Sequence, residues 1–167
     1  MRVIITGITG LVGSHLADYL QLLGEGVEVA GFKRWRSSDE SIWHLFGRVR
    51  FFEGDVEDSY SVHEAVSSIK PDRRFQLPAQ NHPSESWTAP VATIGTNVFG
   101  TIHVLEGVRK HCPACREHVA GSSAQYGLVR AEDVPITEAH PLRPLSPYGS
   151  SRLPRSCSPL STTRTWG

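Results

Sequence analysis

The chain opens on an apolar run, Val3-Ile4-Ile5, that passes directly into Thr6-Gly7-Ile8-Thr9-Gly10-Leu11-Val12-Gly13. β-Branched residues, then three glycines at a spacing of three, then a helical pattern predict a strand, a tight turn and a helix. Such a turn lets the pyrophosphate of a dinucleotide rest on backbone N–H groups at the helix start, where aligned peptide dipoles favour negative charge. Glycine suits it because a Cβ would block close approach or the positive φ. The spacing is G-x-x-G-x-x-G rather than G-x-G-x-x-G. Thr6, Gly7, Gly10, Leu11, Val12 and Gly13 therefore enter as candidate cofactor contacts.

The elements that follow alternate. Strands are expected over Val3–Thr6, Val27–Phe32, Val49–Glu53, Arg74–Leu77 and His118–Gly121, and helices over Leu11–Leu23, Ser61–Ile69 and Ala92–Lys110. Strand–helix alternation implies right-handed crossovers and a parallel sheet covered on both faces. The fold class is α/β, a three-layer, doubly wound Rossmann-type sheet. In the first helix Leu11, Val12, His15, Leu16, Tyr19, Leu20 and Leu23 recur at helical spacing; in the long helix Ile94, Val98, Ile102, Leu105 and Val108 share one face. Asp58 and Ser59 are candidate caps of the middle helix.

A length of 167 residues suits one domain. Seventeen basic and seventeen acidic residues cancel, which argues against nucleic acid or a membrane surface as partner. With no apolar run of ~18 residues and no leader pattern, a cytoplasmic protein is expected. Three cysteines, an odd number without a framework, fit a reducing compartment. Cys112-Pro113-Ala114-Cys115 has redox or zinc spacing, but no second pair accompanies it and it lies at a helix end. It is read as two incidental thiols, and no metal site is expected.

In an open parallel sheet, ligands bind beyond the carboxyl ends of the strands. After strand two comes Lys33-Arg34-Trp35-Arg36-Ser37-Ser38, where Arg34 and Arg36 suit a ribose 2′-phosphate; this favours NADP, with NAD possible. After strand three, Asp55 could accept from an adenine amine or cap a helix, with Val56 beside it. Leu77 and Ala79 lie at the same edge after strand four. Strand five leads to Ser122 in Gly121-Ser122-Ser123-Ala124-Gln125-Tyr126-Gly127. Last comes Tyr148, with Arg152 four residues on. A phenol near a cation becomes more acidic, and a serine hydroxyl beside it can orient a carbonyl or alcohol, giving a proton relay for hydride transfer.

In that order the clusters resemble the extended short-chain dehydrogenase/reductase family, the NAD-dependent epimerase/dehydratases, over residues 1 to about 152. Thr6-Gly7-x-x-Gly10-x-x-Gly13 looks like its cofactor turn. Ser122 and Tyr148 look like its serine and its Tyr-x-x-x-Lys tyrosine. Phe32-Lys33-Arg34, Glu85-Ser86-Trp87, Thr96-Asn97-Val98-Phe99-Gly100-Thr101 and Leu142–Gly149 are similar to a branch acting on GDP-mannose-type sugars. That branch comprises the 4,6-dehydratases and the 4-keto-6-deoxymannose reductases that act after them. The resemblance implies catalytic Ser122, Tyr148 and Arg152, cofactor contacts that include Asn97, Tyr148 and Arg152, a nucleotide-sugar substrate, and a homodimer through the long helix.

Three departures accompany the resemblance. Arg152 stands where the family has lysine, and its planar fork is a poor substitute for a compact ammonium. Ala124 stands where dehydratases carry the glutamate that takes the C5 proton. The family's carboxyl-terminal, sugar-gripping half is not expected within 167 residues. Residues 153–167 are read as an aberrant tail, because Pro154 and Pro159 fall where a helix is due and proline in a helix interior costs ~3 kcal/mol. One choice of codons for 151–163, with a single base restored in the Arg152 codon, would return a lysine and an amphipathic helix, so a compensated frameshift is one origin of the tail. The expectation is thus an NADP-binding domain over 1–152 of dehydratase type, impaired in activity. The reductase and an inactive dinucleotide-binding remnant stand as alternatives.

Overall fold

A computed structural model describes residues 1–77 and 83–156. Its centre is a five-stranded parallel sheet in the order β3-β2-β1-β4-β5. The strands are β1 Arg2–Thr6, β2 Glu28–Lys33, β3 Arg50–Glu53, β4 Arg73–Gln76 and β5 Arg116–Val119. The order reverses beside β1, so the chain winds outward first one way and then the other. That is the doubly wound Rossmann arrangement expected.

Alternation along the strands builds two cores. Val3, Ile5 and Val29 point to the face covered by α1 (Leu11–Leu22), where they meet Ile8, Ala17, Leu20, Ile42 and Leu45. Ile4, Ala30 and Phe32 point to the other face and meet α2 (Ser59–Ile69) and α5 (Gly100–His111) through Val62, Val66, Ile69, Val104 and Val108. Burial on both faces explains the near-continuous apolar text of β1. Asp58 is the N-cap of α2, its carboxylate accepting from the amides of Tyr60 at 3.0 Å and Ser61 at 3.2 Å, while Ser59 is already helical.

Four expectations need correction. The apolar stripe read in the first helix is only partly its buried face: Leu20 is buried and Leu16 packs against the core, but Leu11 is 76% exposed, Val12, Tyr19 and Leu23 are exposed too, and Gly13, Ser14 and Ala17 are buried instead. The cause is steric at the start of the helix, where the first turn of α1 sits so close to the Gly7-Ile8 backbone that a Cβ on Gly13 would strike it. The long helix is not a single α-helix. It runs as α4 (Pro90–Ile94), a wider π-type turn over Gly95–Phe99, and α5, preceded by a short α3 (Glu85–Thr88). The wide turn shifts the buried face onto Thr93, Asn97, Thr101, Val104 and Val108, leaving Ile94 and Ile102 half outside. β5 starts two residues earlier than expected.

Finally, α6 (Pro147–Ser156) continues helically through Pro154, past the expected boundary at 152. Proline here removes a bond only in the last turn, and packing of α6 against α4 and the wide turn outweighs its low propensity. The expected tail beyond 156, including Cys157, and the candidate Ala79 lie outside the described residues. Among the described residues no helix is long and apolar enough to cross a membrane.

Candidate functional site

At the carboxyl ends of β1, β2 and β3 the structure opens into a cleft of about 570 Å³. Gly7, Thr9 and Gly10 form one wall, Lys33, Arg34, Arg36 and Ser37 another, and Asp55, Val56 and Leu77 contribute to the floor. Seven of the residues expected to touch a cofactor therefore line one cavity: Gly7, Gly10, Arg34, Arg36, Asp55, Val56 and Leu77.

The glycine turn divides its labour. Gly7 has φ +78°, a left-handed conformation that favours glycine, and its amide bonds the Phe32 carbonyl at 3.2 Å. A Cβ on Gly13 would sit 2.3 Å from the Gly7 carbonyl oxygen and 2.8 Å from the Ile8 Cα, so Gly13 lets the helix close against the turn that follows β1. Gly10 is different: a Cβ there would meet only the Gly7 carbonyl oxygen, at 3.4 Å. Its bareness keeps the cleft open rather than the fold closed. Gly10 is also the N-cap of α1 and supplies no side-chain acceptor, so the first amides of the helix, including those of Leu11 and Val12, face outward without an intrahelical partner. Thr6 is buried, its hydroxyl bonded to the Phe75 carbonyl at 3.3 Å, and serves the sheet.

The basic loop after β2 is anchored rather than loose. The Lys33 ammonium, 6% exposed, bridges Asp39 at 3.0 Å and Glu53 at 3.1 Å. Burial works against its charge, and the hydrogen bonds to the two carboxylates more than offset this and hold the group above its usual value. The loop then turns through a bond from the Ser37 amide to the Arg34 carbonyl at 3.0 Å, with the Arg36 guanidinium 5.9 Å from the Trp35 ring centre. Asp55 accepts from the Glu57 amide at 3.1 Å and faces the cleft; the helix cap is Asp58.

Tyr148, Arg152, Asn97 and Ser122 do not line this cavity; they form a second group on elements that pack together. α6, carrying Tyr148 and Arg152, lies against the wide turn that carries Asn97 and against a short 3-10 helix, Ser123–Gln125, that Ser122 caps. The Ser122 hydroxyl oxygen accepts from the Ala124 amide at 3.2 Å. The Arg152 guanidinium, almost wholly buried, lies 4.6 Å from the Tyr148 ring centre. Burial pulls its pKa down, and the neighbouring Tyr148 only partly offsets that.

Sequence reasoning missed a buried polar chain behind these residues. Arg74, with no exposed surface, donates to Gln76 Oε1 and to Glu117 Oε2, each at 3.1 Å. Gln76 Nε2 donates to Thr101 Oγ1 at 2.8 Å, and that hydroxyl donates to the Asn97 carbonyl at 2.6 Å. Asn97 Nδ2 donates to Ser151 Oγ at 2.9 Å, whose hydroxyl donates to the Tyr148 carbonyl at 2.7 Å. Burial pulls Arg74 down and pushes Glu117 up, each only partly restored by the other. The one available signal was the text Arg73-Arg74-Phe75-Gln76, unusually polar for an interior strand.

The family model for GDP-mannose 4,6 dehydratase matches residues 4–157. The chain belongs to the GDP-mannose 4,6-dehydratase family. A GDP-mannose 4,6-dehydratase of Yersinia enterocolitica is 35% identical over 165 residues, covering 91% of this chain and 43% of that protein. The human GDP-mannose 4,6 dehydratase is 34% identical, covering 90% and 42%. The chain thus spans less than half the length of these relatives. Among solved structures, the UDP-glucose 4-epimerase of Thermotoga maritima with UDP-glucose superposes with a TM-score of 0.81 at 25% identity, over 92% of this chain and 48% of that one. The Thermus thermophilus UDP-glucose 4-epimerase complex with NAD gives 0.78 at 32% identity, over 91% and 47%.

Proposed function

We propose that this chain is the dinucleotide-binding part of a nucleotide-sugar enzyme of GDP-mannose 4,6-dehydratase type, and that it takes NADP. The observation that carries the reading is the uncapped start of α1, opening at Gly10 onto a cleft whose opposite wall holds Arg34, Arg36 and Ser37. The helix start suits a pyrophosphate and the two guanidinium groups suit a 2′-phosphate. When bound, the nicotinamide would take a hydride from the sugar and return it.

The protein's own groups fit the remaining work. The Tyr148 phenol would move the proton of the C4 hydroxyl as that carbon is oxidised, and the Ser122 hydroxyl would hold its oxygen. Arg152 keeps a positive charge beside the phenol, without the compact shape of an ammonium. Removal of the C5 proton, needed to expel water across C5 and C6, has no carboxylate at Ala124. This leaves a reductase-type reaction, proton and hydride delivered to a 4-keto sugar, as the second reading. A homodimer through α4 and α5 and a cytoplasmic location accompany the proposal, and residues 152–163 are proposed to be the product of a shifted reading frame.

Calorimetric titration of the purified chain with NADP and with NAD tests the reading. Saturable binding with NADP the tighter is expected, and GDP-mannose turnover by this chain alone should be undetectable. Absence of binding to either dinucleotide would overturn the proposal.

A further inference from the structure

α5 ends at His111, and Cys112, Pro113, Ala114 and Cys115 make the turn into β5. The Cys115 amide donates to the Cys112 carbonyl at 2.8 Å. Such an i to i+3 closure, with proline at its second position, holds the two Cα atoms within ~7 Å, about the reach of a disulfide. The Cys115 thiol donates to the Arg116 carbonyl at 3.7 Å. The two thiols differ in access: Cys115 is 4% exposed and packed among Ile69, Val66 and Val108, whereas Cys112 is half-buried and open to solvent. Neither lines the cleft. Among the described residues no group of three or more His, Cys, Asp or Glu could hold a metal ion.

We propose that Cys112 and Cys115 are a reversible dithiol–disulfide couple, Cys112 attacking and Cys115 resolving. The electrostatics agree with that order. The neighbouring Cys115 thiol brings the Cys112 thiol down against burial and the Glu117 carboxylate, with the buried Arg74 guanidinium giving a smaller pull the same way. The neighbouring Cys112 sulfur, together with burial, pushes the Cys115 thiol up and keeps its proton on. The thiolate is the nucleophile, and a lowered pKa in partial solvent contact marks the attacking member.

With a small disulfide such as glutathione disulfide as oxidant, the Cys112 thiolate attacks one sulfur and breaks the S–S bond. The first glutathione leaves as thiolate and takes up a proton. Cys115 then loses its proton to solvent, and its sulfur attacks the Cys112 sulfur. This breaks the mixed disulfide and releases the second glutathione, so two protein thiols become one disulfide and one small disulfide becomes two thiols. Incidental thiols would need neither the closed turn nor the pairing of one buried sulfur with one open to solvent.

The test uses the full chain carrying Cys157→Ser, treated under native conditions with excess glutathione disulfide, then acid-quenched and digested with trypsin. Cleavage after Lys110 and Arg116 leaves both cysteines on one peptide. That peptide should be lighter by two hydrogens and return to its reduced mass with dithiothreitol. In the same background Cys115→Ser should accumulate a lasting glutathione adduct on Cys112, and Cys112→Ser should leave Cys115 unreacted. Two free thiols in the unsubstituted pair, or a stable adduct on Cys112 beside a free Cys115, would overturn the proposal even if a variant fails to fold.

Discussion

Asn97 and Ser151 lie 54 residues apart in sequence and meet in the interior, the amide of one donating to the hydroxyl of the other at 2.9 Å. Ser151 passes the link on to the backbone of Tyr148, so the helix carrying the phenol is tied to the wide turn in the long helix. Asn97→Leu should leave Ser151 without this donor and lower stability by about 1–3 kcal/mol. Dinucleotide affinity should stay within about twofold, because Asn97 does not line the cleft. A thermal melt beside an NADP titration checks both parts.

The glycines of the turn should separate by function. Gly13→Ala forces a carbon to within 2.3 Å of the Gly7 oxygen and should prevent stable folding, seen as loss of a cooperative melt. Gly10→Ala meets only an ordinary contact and should fold, but its methyl stands where a phosphate would approach. Its NADP affinity should fall at least about tenfold, a loss of ~1.4 kcal/mol.

Arg34→Ala with Arg36→Ala should remove the preference for NADP over NAD. Each charge-assisted bond to a phosphate contributes about 1.5–3 kcal/mol, so losing both is expected to change the ratio by about a hundredfold or more in paired titrations. A double variant that kept its selectivity would place the 2′-phosphate elsewhere.

The ion pair of Arg74 and Glu117 should behave as a buried pair does. Arg74→Met strands a buried carboxylate and should cost about 3–5 kcal/mol, whereas adding Glu117→Leu should recover most of the loss. Urea unfolding of the two single variants and the double variant measures the coupling.

Stability should fall on mild acidification through His63. Burial against α5, with the His111 ring edge-on at 5.3 Å and Lys110 close by, holds its pKa below 6.5, while Glu106 pulls the other way and His103 adds to the lowering. The folded state thus favours the neutral ring. Its contribution is complete above pH 6.5 and is lost as the pH drops from there through the folded value, because the unfolded chain takes up the proton first. His63→Gln should flatten the melting temperature between about pH 5 and 7.

The sheet, its crossovers and its ligand-facing edge were legible because β1 is nearly continuous Val and Ile and because glycine, Asp55 and the Lys33–Arg36 cluster follow strand ends. The helix faces were not. Hydrophobic periodicity reports the widest apolar stripe, but α1 turns its small residues inward, at Gly13 and Ala17, since contact distance there overrides burial of bulk. The long helix misled for another reason. The wide turn changes the angular step between Ile94 and Ile102, and a fixed period cannot follow it. Arg74 was hidden because a buried charge carries no periodic mark; only its partners Gln76 and Glu117, distant in sequence or on the same strand, explain it.

The π-type turn at Gly95–Phe99 also divides one rod into two mechanical units. Above it α4 leans on α6, below it α5 leans on α2, and the joint is where the ladder of backbone bonds changes its step. Loosening of the upper segment, with the phenol-bearing helix, can then proceed while the lower one stays clamped to the sheet, so deuterium uptake along residues 90–111 should break into a fast and a slow block with the seam at that joint.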